Sequence, residues 1–81
     1  MRTYQAVIEG PLHPLPSQWE QSPHQPNTWW ASCRCPSQAE ARKVGEELSR
    51  RFPQGRVFIF TYRPERALDR CIFDSKPAWR H

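Results

Sequence analysis

Residues 28–62 read TWWASCRCPSQAEARKVGEELSRRFPQGRVFIFTY, and this stretch decides the fold of the chain. Residues 28–35 predict a strand, because successive strand residues point to opposite faces and this divides Trp29, Ala31, Cys33 and Cys35 from Thr28, Trp30, Ser32 and Arg34. Ser37 followed by Glu40 is a capping box, which predicts a helix over residues 37–51. The sequence therefore indicates a strand that leads directly into a helix.

The predicted helix, from Gln38 to Arg51, carries one apolar stripe whose members lie three and four positions apart, which is typical of packing on one face of a sheet. The residues of the stripe are Ala41, Val44, Leu48 and Phe52. Gly45 lies beside the stripe and is expected to permit close packing on the sheet. Pro53-Gln54-Gly55 predicts the turn that ends the helix.

The segments on either side complete a small α+β domain. Residues 3–9 alternate and predict a first strand, whereas residues 56–63 are apolar on both faces and favour a central strand. Residues 67–73 are expected to return antiparallel, so that 56–73 form a β-hairpin. We predict one domain over residues 1–81, with a small antiparallel sheet in the order β-β-α-β-β and one helix packed on one face.

A proline-rich segment separates the first two predicted strands. Residues 10–27 hold five of the nine prolines, and this density excludes a helix or a central strand. We expect a long loop whose side chains Leu12, Leu15 and Trp19 pack across the core and hold the loop in place. Loops of this length are usually functional or disordered.

The sheet is expected to have an open face, because one helix covers only one side of it. We assign seven residues to the helix side: Trp29, Ala31, Cys33, Phe58, Phe60, Cys71 and Phe73. The open face is then expected to carry Trp30, Ser32, Arg34, Val57, Ile59, Thr61, Arg63 and Arg70. A register error of one residue would exchange the two sets within a strand.

The size and charge of the chain favour binding over catalysis. A chain of 81 residues builds one small core, and three glycines cannot form a glycine-rich phosphate loop, so we predict a non-enzymatic protein without a cofactor. The formal net charge is +4, and residues 33–81 carry eleven basic and six acidic side chains. This basic half favours an anionic partner.

The cysteines fit neither a set of disulfides nor a recognisable metal-binding pattern. Three of them, Cys33, Cys35 and Cys71, are an odd number, which argues against a set of disulfides. No metal site is predicted, because no second ligand pair accompanies the Cys33-x-Cys35 spacing. A metal or redox site built from Cys33, Cys35 and His24 stays as an alternative. The N-terminal MRTYQAVIEG lacks an apolar signal segment and no stretch is long enough to span a membrane, so we expect a cytoplasmic protein.

The predicted partner-binding residues combine guanidinium groups with one indole. On the expected open face they are Trp30, Arg34, Arg63 and Arg70, and near the end of the helix they are Arg50, Arg51 and Arg56. Arginine binds phosphate bidentately and tryptophan stacks on bases, so the set suits a single-stranded nucleic acid. The same open face is alternatively expected to be a homodimer interface, because exposed apolar surface often marks one.

The layout resembles that of some type I anti-CRISPR proteins. The corresponding parts are Tyr4–Glu9, Cys35–Arg51, Arg56–Phe73, Asp74-Ser75-Lys76 and Trp79. The resemblance covers residues 28–81 and implies a non-enzymatic inhibitor, phage-encoded and acting in the host cell. Such inhibitors dock on a CRISPR surveillance complex and block target DNA binding. The proline-rich loop and the basic charge depart from this pattern, and a basic inhibitor would engage an acidic protein surface, guide RNA or DNA.

Overall fold

The computed structural model describes residues 1–10, 19–22, 25 and 27–76. Within these residues, five antiparallel strands form one sheet in the order β2-β3-β1-β4-β5, with a single helix packed on one face. The elements are β1 (Arg2–Glu9), β2 (Glu20–Gln21), β3 (Thr28–Cys35), α1 (Gln38–Arg51), β4 (Arg56–Thr61) and β5 (Cys71–Asp74). The predicted α+β class with one helix on an antiparallel sheet is confirmed.

The predicted loop over 10–27 contains a short strand that the sequence does not signal. In β2, Glu20 pairs with Trp30 and Gln21 pairs with Trp29, so β2 extends the sheet beyond β3. The Gly10 N–H donates to the Asn27 carbonyl at 2.8 Å and closes the base of the segment. Trp19 packs against the core as predicted, whereas Leu12 and Leu15 lie outside the described residues.

The core lies between α1 and the even-numbered residues of β1. Tyr4 and Ala6 of β1 cluster with Ala41 of the helix and with Ile59, and Ile8 clusters with Phe52. Antiparallel pairing places Ala6 opposite Ile59, and cross-strand partners share a face. The middle strand is β1 and β4 lies beside it, so β4 is an interior strand but not the central one that the sequence favours.

The predicted faces are correct for β3 and wrong for β4. On β3, Trp29, Ala31 and Cys33 pair with the core residues of β1, which confirms the helix side for these three. On β4 the helix side carries Val57, Ile59 and Thr61, and the open face carries Phe58 and Phe60. Every one of the residues 57–60 is apolar, so alternation along β4 gives no phase.

The last strand is shorter than predicted and irregular. β5 covers Cys71–Asp74 instead of 67–73, and the pairs Ile59–Phe73 and Phe60–Cys71 leave Ile72 as the extra residue of a β-bulge. Phe73 therefore faces the helix as predicted, whereas Cys71 lies on the open face beside Phe60. The bulge shifts the alternation by one residue, which is why a regular strand pattern misplaces Cys71.

The helix boundaries agree with the sequence signals. The Ser37 Oγ accepts a hydrogen bond from the Glu40 N–H at 3.3 Å, and the Phe52 N–H donates to the Leu48 carbonyl at 2.8 Å. A Cβ atom at Gly45 would lie 2.5 Å from Cδ2 of Phe73. Glycine is thus required where α1 crosses β5, because any side chain would collide with that ring. Among the described residues, no helix is long and apolar enough to cross a membrane.

Replacing Leu48 by alanine is expected to lower the free energy of unfolding. Leu48 packs against both halves of the core but is only partly buried, so we expect the lower end of the range of about 2–5 kcal/mol. Urea denaturation followed by circular dichroism measures the loss, with Lys43→Ala as an exposed control on the same helix. A Leu48→Ala effect no larger than that of the control would show that the stripe does not pack as described.

Candidate functional site

Antiparallel pairing collects arginines at one end of the sheet. Because Arg2 pairs with Cys35 and Tyr4 pairs with Thr61, the start of β1 lies beside the ends of β3 and β4. The chain between β4 and β5 folds back over the same end. Five of the ten arginines of the chain lie there, and we call this group the arginine end: Arg2, Arg34, Arg63, Arg66 and Arg70.

A cleft opens in the arginine end between β1, β4 and the connection to β5. Its volume is about 420 Å³, and three guanidinium side chains line it. These belong to Arg2, Arg63 and Arg70, and the other lining residues include Thr3, Gln38, Tyr62 and Asp69. The cleft is therefore positively charged, with one carboxylate among its described lining residues.

The single carboxylate of the cleft is already engaged. Asp69 lies 3.0 Å from Nε of Arg63 and accepts a hydrogen bond from the Thr61 Oγ1 at 3.4 Å. Its side chain is only 16% exposed, so it holds Arg63 in place more than it faces solvent. In the described part of the chain, no carboxylate lies within ion-pair distance of Arg2 or Arg70. Two guanidinium groups of the cleft thus lack an internal counterion there.

Backbone hydrogen bonds fix the segment that carries Arg63 and Arg70. The Thr61 N–H donates to the Arg70 carbonyl at 2.8 Å, and the Arg70 N–H donates to the Thr61 Oγ1 at 3.0 Å. The Arg63 N–H donates to the Arg66 carbonyl at 3.1 Å, which closes a tight turn. The arginines therefore project from an ordered hairpin, so binding to them would order little additional backbone.

The structure brings together part of the predicted partner-binding set. Arg63 and Arg70 line the cleft, and Arg34 lies beside it because its partner Thr3 is a lining residue. Trp30 shares the open face with Arg34 but lies farther along β3, where Glu20 is its cross-strand partner. Three of the predicted arginines thus lie at one end of the sheet, and the indole lies away from it.

Three other predicted arginines lie away from the arginine end. Arg50 and Arg51 line a separate groove along the last turns of α1, together with Val44, Glu47 and Leu48. Arg56 lies at the far end of β4 and makes two hydrogen bonds to Asp74, at 2.7 and 3.0 Å. These bonds hold the pKa of the Asp74 carboxyl below its ordinary value. The Arg56 guanidinium is therefore committed to an internal ion pair.

An aromatic row runs along the open face toward the cleft. The rings of Phe58 and Phe60 lie 5.9 Å apart, and Tyr62 follows at the next alternate position and lines the cleft. The sequence prediction missed Arg2, Phe60 and Tyr62 as members of this region. Arg2 reaches the cleft because β1 lies between β3 and β4, and Phe60 lies on the open face because of the way β4 pairs with β1. Both facts depend on how the strands are arranged in the sheet.

The cysteines lie on both sides of the sheet. Cys33 and Cys35 point toward the helix, whereas Cys71 lies on the open face. Burial, together with a smaller contribution from the neighbouring Cys35, raises the pKa of the Cys33 thiol to about 11, so this thiol stays protonated at neutral pH. Within the described residues, no group of three or more metal-ligating side chains occurs. His24, the third member of the alternative metal or redox site, lies outside those residues.

Comparisons with known proteins give no relatives. No protein-family model matches the chain, and neither the curated proteins nor the solved structures give a significant match. The arginine end is therefore interpreted from its own residues and their chemistry.

Proposed function

We propose that this protein is a non-enzymatic binding protein that engages the phosphates of a nucleic acid within a nucleoprotein complex. The observation that supports this is the cleft in which Arg2, Arg63 and Arg70 converge. Guanidinium groups bind phosphate oxygens through paired hydrogen bonds, and such charge-assisted bonds are stronger than neutral ones. With Arg2 and Arg70 free of described carboxylates, an anionic ligand would supply the missing counterion.

The lining of the cleft supports binding over catalysis. Its described lining residues include no histidine and no cysteine, and its one carboxylate is held by Arg63. The one hydroxyl–carboxylate pair of the described lining, Thr61 with Asp69, is engaged within the protein, because Asp69 pairs with Arg63 and the Thr61 hydroxyl accepts the Arg70 N–H. This arrangement favours holding an anion over transforming one.

The resemblance of residues 28–81 to type I anti-CRISPR proteins gives the proposal a specific partner. A CRISPR surveillance complex exposes both guide RNA and a DNA-binding surface, and an inhibitor that occupies either would block target DNA. The net charge of +4 favours contact with the nucleic acid itself over mimicry of DNA. An acidic protein surface on the same complex is the alternative partner for the arginine end.

Binding of labelled RNA and DNA at several salt concentrations tests the phosphate contacts. We expect the Arg63→Gln/Arg70→Gln variant to bind more weakly than wild type, with a salt slope reduced by about 2, roughly one unit for each phosphate that is no longer bound. The matched control is Lys43→Gln/Lys76→Gln, which removes the same charge away from the cleft. Absence of wild-type binding at low salt, or equal salt slopes for the two variants, would contradict the proposal.

Inhibition of a purified type I surveillance complex, loaded with guide RNA, tests the choice of partner. Wild-type protein is expected to reduce the binding of target DNA, and Arg63→Gln/Arg70→Gln is expected to reduce it less. A different outcome is that neither protein changes the binding of target DNA, while wild type still binds labelled RNA or DNA and Arg63→Gln/Arg70→Gln binds it more weakly. In that case the CRISPR partner is wrong and the phosphate-binding role remains.

A further inference from the structure

The open face carries aromatic rings at the border of the arginine end. Phe58 and Phe60 occupy alternate positions of β4 on the open face, and Tyr62 takes the next alternate position, one residue past the end of the strand. Tyr62 is 42% exposed and Phe60 is partly exposed. Phe58 lies opposite Val7, which is buried on this face, so Phe58 has a packing role, whereas Tyr62 is exposed beside the cationic cleft.

The rings of this row are not equally available. The guanidinium of Arg56 lies 4.7 Å from the centre of the Phe58 ring and is fixed there by Asp74. Arg56 therefore covers one face of the Phe58 ring, although Phe58, like Phe60, is partly exposed. Phe60 lies between Gln5 and Cys71, its partners on the neighbouring strands, and Tyr62 lines the cleft. Phe60 and Tyr62 are the two rings that a ligand can reach.

The charged residues of the open face limit the area on which a polyanion can bind. Beyond Phe58, the open face carries Glu9 on β1 and the Arg56–Asp74 ion pair, whose two charges cancel, and Glu20 lies next to Trp30. A polyanion would be repelled from that end and attracted to Arg34 and the cleft. The favourable region thus covers the exposed ring of Tyr62, the partly exposed ring of Phe60 and the arginines beside them, which is room for about two or three bases.

We infer that the ligand of the arginine end is a single-stranded nucleic acid whose bases stack on Phe60 and Tyr62. This inference rests on the proposed function, because the arginines hold the phosphates of the same strand. In a duplex the faces of the bases are stacked on one another, so they cannot use exposed rings, whereas an unpaired strand presents a face at every base. The protein would therefore recognise the phosphates and the unstacked bases of the same strand.

Comparison of a labelled oligothymidylate with an abasic strand of equal length tests the stacking. Wild type is expected to bind the thymidylate more tightly, because each stacked base contributes roughly 5- to 150-fold in affinity. Tyr62→Ala and Phe60→Ala are expected to lose this preference, whereas Tyr62→Phe keeps the ring and the preference. Leu68→Ala, which removes another exposed apolar side chain, is the control.

The outcomes separate the inference from the proposed function. Equal wild-type affinity for both strands, together with weakened binding by Arg63→Gln/Arg70→Gln, would overturn stacking and leave phosphate binding in place. Tighter binding of a duplex than of the single strand would overturn it in the same way. Failure to bind any strand at low salt would remove both, whereas a dimer in solution that shields Tyr62 from solvent would overturn the stacking alone.

Discussion

Replacing Ile59 by alanine is expected to lower the free energy of unfolding by about 2–5 kcal/mol. Ile59 is fully buried beneath α1, next to Tyr4 and Ala6 of the central strand. Small domains have a total stability of about 5–15 kcal/mol, so this single change removes a large part of it. Urea denaturation followed by tryptophan fluorescence measures the loss.

A pair of lysine substitutions on opposite faces of β4 tests which face is buried, and the test depends on the order of the two stabilities. Ile59→Lys would bury an ammonium group, which is expected to prevent folding at neutral pH. Phe60→Lys places the ammonium group on the open face, where its long side chain reaches water, and cooperative unfolding is expected to persist. The opposite order of stability would mean that β4 presents Phe60 to the helix, as the sequence suggested.

The helix was predictable because its signals are local and independent. Ser37 caps the first turn, a stripe that includes Leu48 sets the buried side, and Pro53 follows the last turn. Each of these signals depends on residues within a few positions. Which face of β4 packs on the helix depends instead on its pairing with β1, about fifty residues earlier. Because β4 is apolar on both faces, its own sequence does not indicate that face.

The candidate site was only partly predictable for the same reason. Arg63 and Arg70 are close in sequence and flank one turn, so their common location follows from a hairpin. Arg2 joins them only because β1 lies between β3 and β4, an arrangement that alternation within β1 cannot specify. The short strand Glu20–Gln21 and the bulge at Ile72 are likewise set by tertiary pairing, which overrides local pattern.

Charge reversal at Arg34 and Arg63 together is expected to abolish binding of nucleic acid while the fold is retained. Arg34→Glu and Arg63→Glu place two carboxylates beside the cleft, so a phosphate chain meets repulsion where it met attraction. Some loss of stability is expected, because Asp69 is only 16% exposed and loses its ion-pair partner, but Arg63 is 65% exposed, so the introduced glutamate can turn away from Asp69 into solvent and the fold is expected to persist. Fluorescence anisotropy measures binding, and circular dichroism with urea measures the fold.

The matched control decides whether position or total charge governs this loss. Lys43→Glu with Lys76→Glu lowers the net charge by the same four units but leaves the arginine end intact. Since screening confines charge effects to about 10 Å at 0.1 M salt, distant carboxylates are expected to weaken binding far less. A folded Arg34→Glu/Arg63→Glu variant that binds like wild type would remove the arginine end as the site. Equal losses in both variants would mean that net charge alone attracts the nucleic acid, and that the convergence of Arg2, Arg63 and Arg70 has no part in holding it.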